Sequence, residues 1–444
     1  MEEVLFEQIL MYGITALIVV LVLFIYIRKQ RKDSKVVTDK ITQAKEDGLH
    51  EPVSLYPLID MNRCIKSGAC VTACPEHDII GIKDGRAAVI NALLCVGHGA
   101  CLKACPVEAI TLMIGTEKFG VDLPVYDVTF QTNISGIYIA GEIGGMGLIR
   151  NAVAQGREAV ENLAKNINKS TTADYDLVVV GAGPAGISGT LAAKKAGLKV
   201  ITLEQETLGG TVATYPRSKV IMTHPMDLPL YGKVKLYETS KPELIDMWTK
   251  VILQHNIVIK ENTKVQTIEK IDDIFHIETL TGERYTTKSI LLAIGRRGTP
   301  RKLGISGEMT EKVAYRMLEP EDIKGKKVAI VGAGDSALEG AMSLCDNNTV
   351  TLFIREDGYT SRKKKNIDKM IETAKAGKVD VKFFSSLTSI EPDSVHYQVK
   401  GTEQSIRLEN DLVFIFAGGE LPSGFLKKSG IEIVTKRGEV LLKR

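Results

Sequence analysis

The sequence predicts a mixed α/β chain: two layered α/β units built on mostly parallel sheets, a small α+β module, and one N-terminal helix long enough to cross a membrane. Three observations predict it. Apolar strands run twice into a glycine-rich turn and a helix, at Gly181 and at Gly332. Six of the seven cysteines fall in a duplicated motif. The run from Ile9 to Ile27 carries no charge. Strand–turn–helix repeats favour α/β layers, and 444 residues allow about three domains.

The N-terminal run comes first in the chain. As a helix, Ile9 to Ile27 would span about 28 Å, close to the thickness of a hydrocarbon core. Glu2, Glu3 and Glu7 precede it, and Arg28, Lys29, Arg31 and Lys32 follow. Basic flanks stay on the cytoplasmic side, so the expected topology is amino terminus out and all else in the cytoplasm. A cleavable signal would need a basic start and a small-residue cleavage site, and both are missing. A core helix would be shorter and would seldom abut such a basic cluster. The expectation is a single-pass anchor at 9–27 in the cytoplasmic membrane. A charged tether at 28–52 follows, with a short helix around Thr38 to Glu46.

Composition narrows the function. An apolar fraction of 44% is ordinary for a globular chain. A net charge of +3 is too weak to argue for nucleic acid. Clustered cysteines are no disulfide framework and point to a reducing compartment.

The module at 53–116 reads Cys64-Ile-Lys-Ser-Gly-Ala-Cys70-Val-Thr-Ala-Cys74-Pro75 and then Cys95-Val-Gly-His-Gly-Ala-Cys101-Leu-Lys-Ala-Cys105-Pro106. This is the bacterial ferredoxin run C-x2-C-x2-C-x3-C-P, with Ser67 and His98 in place of the second cysteine. In that run the fourth cysteine of one motif serves the cluster of the other. One iron–sulfur cluster would take Cys64, Cys70 and Cys105 with Ser67 at its fourth corner. The other would take Cys74, Cys95 and Cys101 with His98. Neutral imidazole is an accepted iron ligand, and removing a thiolate charge raises the potential. His98 can instead only hydrogen-bond a sulfide. Serine ligates only when deprotonated, so a three-iron [3Fe-4S] form at the Ser67 corner stands beside the [4Fe-4S] form. Zinc fits the x3 spacing and Cys-Pro closure poorly. His77 reads as a surface residue.

Two glycine turns follow. Gly181-Ala-Gly183-Pro184-Ala185-Gly186 lies between the strand Asp176 to Val180 and an alanine-rich helix, and Glu204 closes the next strand. Glycines there let backbone amides approach a pyrophosphate at a helix N-terminus, and the acid takes a ribose hydroxyl. Gly332-Ala-Gly334-Asp335-Ser336-Ala337 follows the strand Val328 to Val331, with alanine for the third glycine. Arg355 lies just past the next strand, and Arg362 begins a basic run. Arginine there favours a 2′-phosphate, hence NADPH over NADH, while Glu356 pulls the other way and the basic run can be a solvated face.

From Asp174 to Arg444 the chain resembles the thioredoxin-reductase branch of flavoproteins with two dinucleotide-binding domains. Ser289-Ile-Leu-Leu-Ala-Ile-Gly295-Arg-Arg-Gly-Thr-Pro300 and Asp411-Leu-Val-Phe-Ile-Phe-Ala-Gly-Gly-Glu420 are similar to that branch's two crossovers between domains. The resemblance implies FAD at the first turn and a nicotinamide at the second. It implies an FAD-binding domain at 174–298, an NAD(P)H-binding domain at 299–412, and a return to the FAD domain at 413–444. Two departures matter. The stretch Lys312 to Asp322 lacks the branch's Cys-x-x-Cys pair, and Cys345 reads as packing. The branch's final flavin-binding words appear early: Thr132-Asn-Ile-Ser-Gly-Ile-Tyr138-Ile-Ala-Gly141-Glu142, then a glycine-rich turn and Arg150 to Ala159. Residues 117–168 thus resemble the terminal segment of the branch, circularly moved, with Glu142 as the acid on the ribityl chain. An unrelated strand–helix hairpin is the alternative. Gly210 and Thr211, with Tyr215 to Arg217 and Thr223 to Pro225, fall where relatives wrap the flavin; His224 is a proton-handling candidate or a plain loop residue.

The resulting expectation is a membrane-anchored FAD- and iron–sulfur-dependent oxidoreductase. It would move electrons between NAD(P)H, FAD and one or two clusters, and on to a ferredoxin-like or membrane redox partner. A disulfide reductase of the YpdA type and a non-catalytic iron–sulfur redox sensor remain alternatives. Relatives of this branch are often dimers, so a homodimer is also expected.

Overall fold

The computed structural model describes residues 2–442 other than 48–49, 51, 53–54, 77, 96, 98, 117–119, 146, 168–171, 216–219, 223–224, 237, 297, 318, 361–363, 403 and 421. The chain divides into two compact units, residues 1–119 with 437–444, and residues 120–436.

In the first unit one unbroken helix runs Glu2–Glu46. The tether expected at 28–52 is therefore helical over most of its length, and the short helix around Thr38 to Glu46 is the last part of a continuous one. The reason is a sparse stripe hidden in the charge run. Gln30, Ser34, Val37, Thr38, Ile41 and Ala44 recur at helical spacing and turn inward, while most of the intervening residues face solvent. No glycine or proline interrupts the run from Arg28 to Glu46. The stripe docks on the hairpin Ile80–Lys83 and Arg86–Val89. Ser34 Oγ donates to Asp84 Oδ1 at 2.9 Å and accepts from the Asp84 N–H at 3.0 Å. Lys40 pairs with Asp78. Gly81 is required here, because a Cβ would meet Val37 Cγ2 at 2.8 Å. The apolar window of this helix is 0% buried. By length and composition it is able to cross a membrane.

The rest of the unit is a duplicated cysteine module. Helices Ala69–Ala73 and Ala100–Ala104 each start after a left-handed glycine, Gly68 at φ 73° and Gly99 at φ 71°. Each ends on a cysteine held extended by the proline behind it, Cys74 at ψ 117° and Cys105 at ψ 114°. A three-stranded antiparallel sheet orders Leu55–Ile59, Ile110–Ile114 and Glu439–Leu442. The last strand comes from the region expected to return wholly to the flavin domain.

The second unit is built around two large sheets, beside smaller ones. The first is seven-stranded, ordered Ile259–Lys260, Val200–Leu203, Tyr175–Val180, Arg284–Leu292, Ile274–Thr279 and Val265–Ile271. Strand Ile137–Ile139 pairs in parallel with residues 290–292, past the point where Ile274–Thr279 stops pairing. Tyr175–Val180 is buried almost throughout, the mark of a central strand covered on both faces. Helix Ile149–Asn166 lies against helix Pro184–Lys195 so closely that a Cβ on Gly156 would sit 2.0 Å from the Ala185 carbonyl oxygen. Strand Ile137–Ile139 and helix Ile149–Asn166, from the segment expected to be transposed, are thus built into the layers that carry the first glycine turn.

The second sheet is parallel, ordered Val313–Ala314, Leu412–Ile415, Lys327–Val331, Thr349–Phe353 and Val379–Lys382. Leu412–Ile415 therefore belongs to this sheet and not to the first, which moves the expected boundary near 413. The two crossover strands, Thr299–Pro300 and Gly419–Glu420, pair antiparallel. Strand Ile433–Lys436 pairs with Val121–Pro124.

Candidate functional site

Two pockets in the cysteine module divide the thiols as the motif requires. One is lined by Cys64, Ser67, Cys70 and Cys105, the other by Cys74, Cys95 and Cys101. The extended conformation that proline imposes on Cys74 and Cys105 sends each across to the pocket of the other copy. Among the described residues no three acidic, histidine or cysteine groups converge at the spacing a single ion needs. Three thiols around each pocket match the ligand partition that the motif expects for an iron–sulfur cluster. Ala87 N–H donates to Cys64 Sγ at 3.4 Å and Ala109 N–H to Cys105 Sγ at 3.2 Å, the kind of bond that tunes a cluster. Burial pushes the thiols of Cys70, Cys74 and Cys95 up, and that of Cys101 to about 12, with the neighbouring Cys95 adding to the shift. Loading these pockets must therefore release protons. Ser67 is exposed. His98 and His77 lie outside the described residues.

Sequence reasoning missed Glu76. It follows Cys74-Pro75 and lines the second pocket, just as Val107 follows Cys105-Pro106 and lines the first. Its carboxylate acts electrostatically on Cys74 and Cys95. Aligning the two motifs through their prolines would have found it.

In the second unit a cleft of about 1030 Å³ opens over the first glycine turn. Gly181 has φ 102°, and a Cβ there would meet the Ala293 carbonyl oxygen at 2.5 Å. Gly186 allows the helix to touch the turn, since its Cβ would lie 1.8 Å from the Gly181 oxygen. Gly183 behaves differently. Its Cβ would meet nothing nearer than the Gly209 oxygen at 4.0 Å, so the open side of the turn faces the cleft and leaves room for a phosphate. Pro184 begins the helix where its missing N–H costs nothing, and Ala185 lines the cleft beside it. The cradle fits a dinucleotide pyrophosphate.

Glu204 is 4% exposed. Its Oε2 accepts from the Ala182 N–H at 2.6 Å and its Oε1 from the Glu206 N–H at 2.9 Å. A carboxylate has about four acceptor sites, so capacity remains for a ribose hydroxyl. Burial raises its pKa against the pull of these bonds. Gly210 and Thr211 open a short turn, Gly210–Thr214, along the cleft wall. Gly141, at φ 86°, donates its N–H to Gln155 Oε1 at 2.9 Å, and Glu142 beside it lines the cleft. Residues 216–217 and 223–224, including His224, lie outside the described residues.

The second glycine turn has the same build. A Cβ on Gly332 would meet the Phe416 oxygen at 2.5 Å, whereas Gly334 is open on its outer side. Asp335 begins the helix Asp335–Leu344, where its Oδ1 accepts from Asn366 at 2.7 Å, and Ala337 is fully buried. Ser336 lines the same cleft as the first turn. Arg355 is 79% exposed and pairs with Glu356, which also takes Lys400. The charge on Glu356 is thus shared between Arg355 and Lys400. Arg362 lies outside the described residues. Cys345 follows the helix, its thiol donating to the Met342 carbonyl at 3.3 Å, away from the cleft.

One further pair left no trace in the sequence. Arg316 grips Glu206 with two bonds, Nη1–Oε2 at 2.8 Å and Nη2–Oε1 at 3.2 Å. Both line the cleft, and the pair ties the segment that follows Val313–Ala314, the edge strand of the second sheet, to the loop after Glu204.

A family model described as pyridine nucleotide-disulphide oxidoreductase matches residues 178–443, and one described as a 4Fe-4S dicluster domain matches residues 56–106. A ferredoxin–NADP reductase of Picrophilus torridus is 31% identical over 246 residues, covering 54% of this chain and 68% of that one. The bacilliredoxin reductase Bdr of Bacillus subtilis is 25% identical over 267 residues, covering 59% and 82%. Among solved structures, a bacillithiol disulfide reductase (YpdA) of Staphylococcus aureus is 24% identical, covers 58% and 80%, and has a TM-score of 0.44.

Proposed function

We propose, for a chain that belongs to the pyridine nucleotide-disulphide oxidoreductase family and carries a 4Fe-4S dicluster domain, that it exchanges electrons between NAD(P)H and a redox protein through its own clusters while anchored by its N-terminal helix. The chain is an FAD-dependent pyridine-nucleotide oxidoreductase, with NADP(H) and an iron–sulfur centre as its other cofactors. Bound FAD exchanges the two-electron hydride of a nicotinamide for single electrons, and bound clusters carry those one at a time.

The residues divide the work. Gly181, Gly183 and Gly186, with the helix starting at Pro184, would hold the pyrophosphate of FAD, and Glu204 its ribose. Gly141, Glu142, Gly210 and Thr211 would line the rest of the cofactor. Gly332, Gly334 and Ser336 would hold the second pyrophosphate, with Arg355 and Arg362 toward a 2′-phosphate. Cys64, Cys70 and Cys105 would hold one cluster, and Cys74, Cys95 and Cys101 the other.

The observation that carries the reading is the union on one chain of a cleft reached by both glycine turns and two pockets that each gather three cysteines. The stretch Lys312 to Asp322 offers no dithiol, so the cluster cysteines are the redox sulfur this chain supplies. The test is an anaerobic titration with NADPH and with NADH, following flavin absorbance and cluster EPR together. Nicotinamide should reduce both centres in the wild type and neither in Gly183→Val. Clusters that stay oxidised while the flavin bleaches would refute the relay. A second reading, reduction of a bacilliredoxin-like acceptor, draws on the name of the Bacillus relative. It predicts activity that survives loss of Cys70 and Cys101.

A further inference from the structure

The helix Glu2–Glu46 is at once the membrane-length element and a strut of the cluster unit, and its polarity orders the two pockets. Its apolar run ends at Ile27. Ser34, which grips Asp84, lies about 10 Å further along the axis, and Lys40, which grips Asp78, lies about 9 Å beyond that. Asp84 forms the tip of the hairpin, and Asp78 sits at its base. The tip belongs to the first pocket. Ile82 and Ala87 flank the tip and line that pocket. Lys66, also in its wall, brings Cδ within 4.0 Å of where a Cβ on Gly85 would be. The base belongs to the second pocket, which Ile79 and Ile80 line.

Resting on the anchored, cluster-relaying reading above, we propose that the Cys64/Cys70/Cys105 pocket is the bilayer-facing outlet of the chain, and that its partner is an integral membrane protein with a one-electron centre just above the headgroups. The Cys74/Cys95/Cys101 pocket lies further from the bilayer. The rim of the first pocket suits a protein surface: Ile65 is 63% exposed and the nearby Met61 44% exposed. The basic stretch Arg28 to Lys32 and the next helical turn hold this rim outside the hydrocarbon, which favours a protein centre over a quinone dissolved in the lipid. Each NAD(P)H oxidised to NAD(P)⁺ releases one proton and two electrons, so two partner centres are each reduced by one electron.

The experiment uses the full chain in phospholipid vesicles carrying a headgroup-chelated gadolinium lipid, reduced anaerobically and followed by EPR power saturation. Cys101→Ala retains the first cluster and Cys70→Ala the second. Gadolinium should enhance relaxation of the first several-fold more than that of the second. Equal enhancement, or the reverse order, would overturn the proposal. Should either variant fail to fold, a seven-residue helical insertion after Lys32 in the otherwise wild-type chain lifts the unit by about two turns. That insertion should sharply reduce the enhancement, and an unchanged value would overturn the placement. Vesicles whose only acceptor is a lipid-soluble quinone should show no NAD(P)H-driven quinone reduction; rapid reduction would overturn the choice of partner. Protein that shows no cluster signal, or does not join vesicles, would instead refute the underlying reading.

Discussion

Gly156→Ala tests whether the segment ahead of the first glycine turn belongs to the flavin half. Gly156 lies in the interior of helix Ile149–Asn166. On helix propensity alone, alanine would stabilise that helix by about 1 kcal/mol. The structure predicts the opposite sign. A Cβ would lie 2.0 Å from the Ala185 oxygen, 2.8 Å from its carbonyl carbon and 3.1 Å from its Cα, all backbone atoms that no rotamer change can move. The two helices would have to part by more than an ångström. That loosens a core in which Ala159, Val160 and Leu163 are at most 1% exposed. Overpacking of this kind costs about 1–3 kcal/mol, and a clash with backbone belongs at the upper end. Net destabilisation of about 2 kcal/mol should remain after the propensity gain. Urea unfolding by circular dichroism, with flavin release in parallel, measures it. Lys165→Ala, on the exposed side of the same helix, should change stability by less than about 0.5 kcal/mol. A Gly156→Ala protein as stable as wild type, or more stable, would mean the two helices are not in contact. The transposed segment would then be no part of the flavin half.

Ser67→Cys completes a four-cysteine set in the first pocket and should remove any three-iron EPR signal in favour of a four-iron one; an unchanged spectrum would show that residue 67 does not face the cluster. Arg355→Ala should raise the KM for NADPH about tenfold while leaving that for NADH nearly unchanged, since a charge-assisted bond is worth about 1.5–3 kcal/mol; equal effects on both cofactors would take Arg355 off the 2′-phosphate. Glu204 gives a pH signature. Burial raises its pKa, so the folded chain holds that proton more tightly than the unfolded chain. The resulting stability is full below the unfolded value of about 4.3 and is lost as pH rises through the folded value. Denaturation of the flavin-free protein across that window should show wild type losing stability relative to Glu204→Gln, and parallel profiles would refute the assignment.

What the sequence made legible was local. The glycine turns at Gly181 and Gly332 announce themselves because close backbone approach admits few other residues. The partition of cysteines follows from motif spacing and the prolines behind Cys74 and Cys105. What it hid was sparse or distant. The stripe from Gln30 to Ala44 has a single aliphatic pair of any size, Val37 and Ile41, inside a dense charge run, so a docked helix looked like a tether. The pairing of Glu439–Leu442 with Ile110–Ile114 joins strands separated by the whole second unit, and nothing in either strand names its partner. Arg316 and Glu206 meet across 110 positions of sequence. A charged residue at each place is unremarkable until the fold brings them together.

The duplicated module shows how one backbone serves two chemistries. The two copies agree in φ within a few degrees at Gly68 and Gly99, and in both φ and ψ at Cys74 and Cys105. Differences between the bound clusters then come from the side chains around them and from backbone donors such as the Ala87 and Ala109 N–H groups, which both serve the first pocket. The first pocket offers three thiolates, a neutral serine at the corner, and Lys66 in its wall. The second offers three thiolates and the Glu76 carboxylate. Net charge is one of the protein's levers on cluster potential, and more negative surroundings lower it. The second cluster would then be the stronger reductant and the first the better acceptor. That gradient runs from the pocket further from the apolar run to the pocket nearer it, the same direction that the grip of Ser34 on Asp84 and of Lys40 on Asp78 supports.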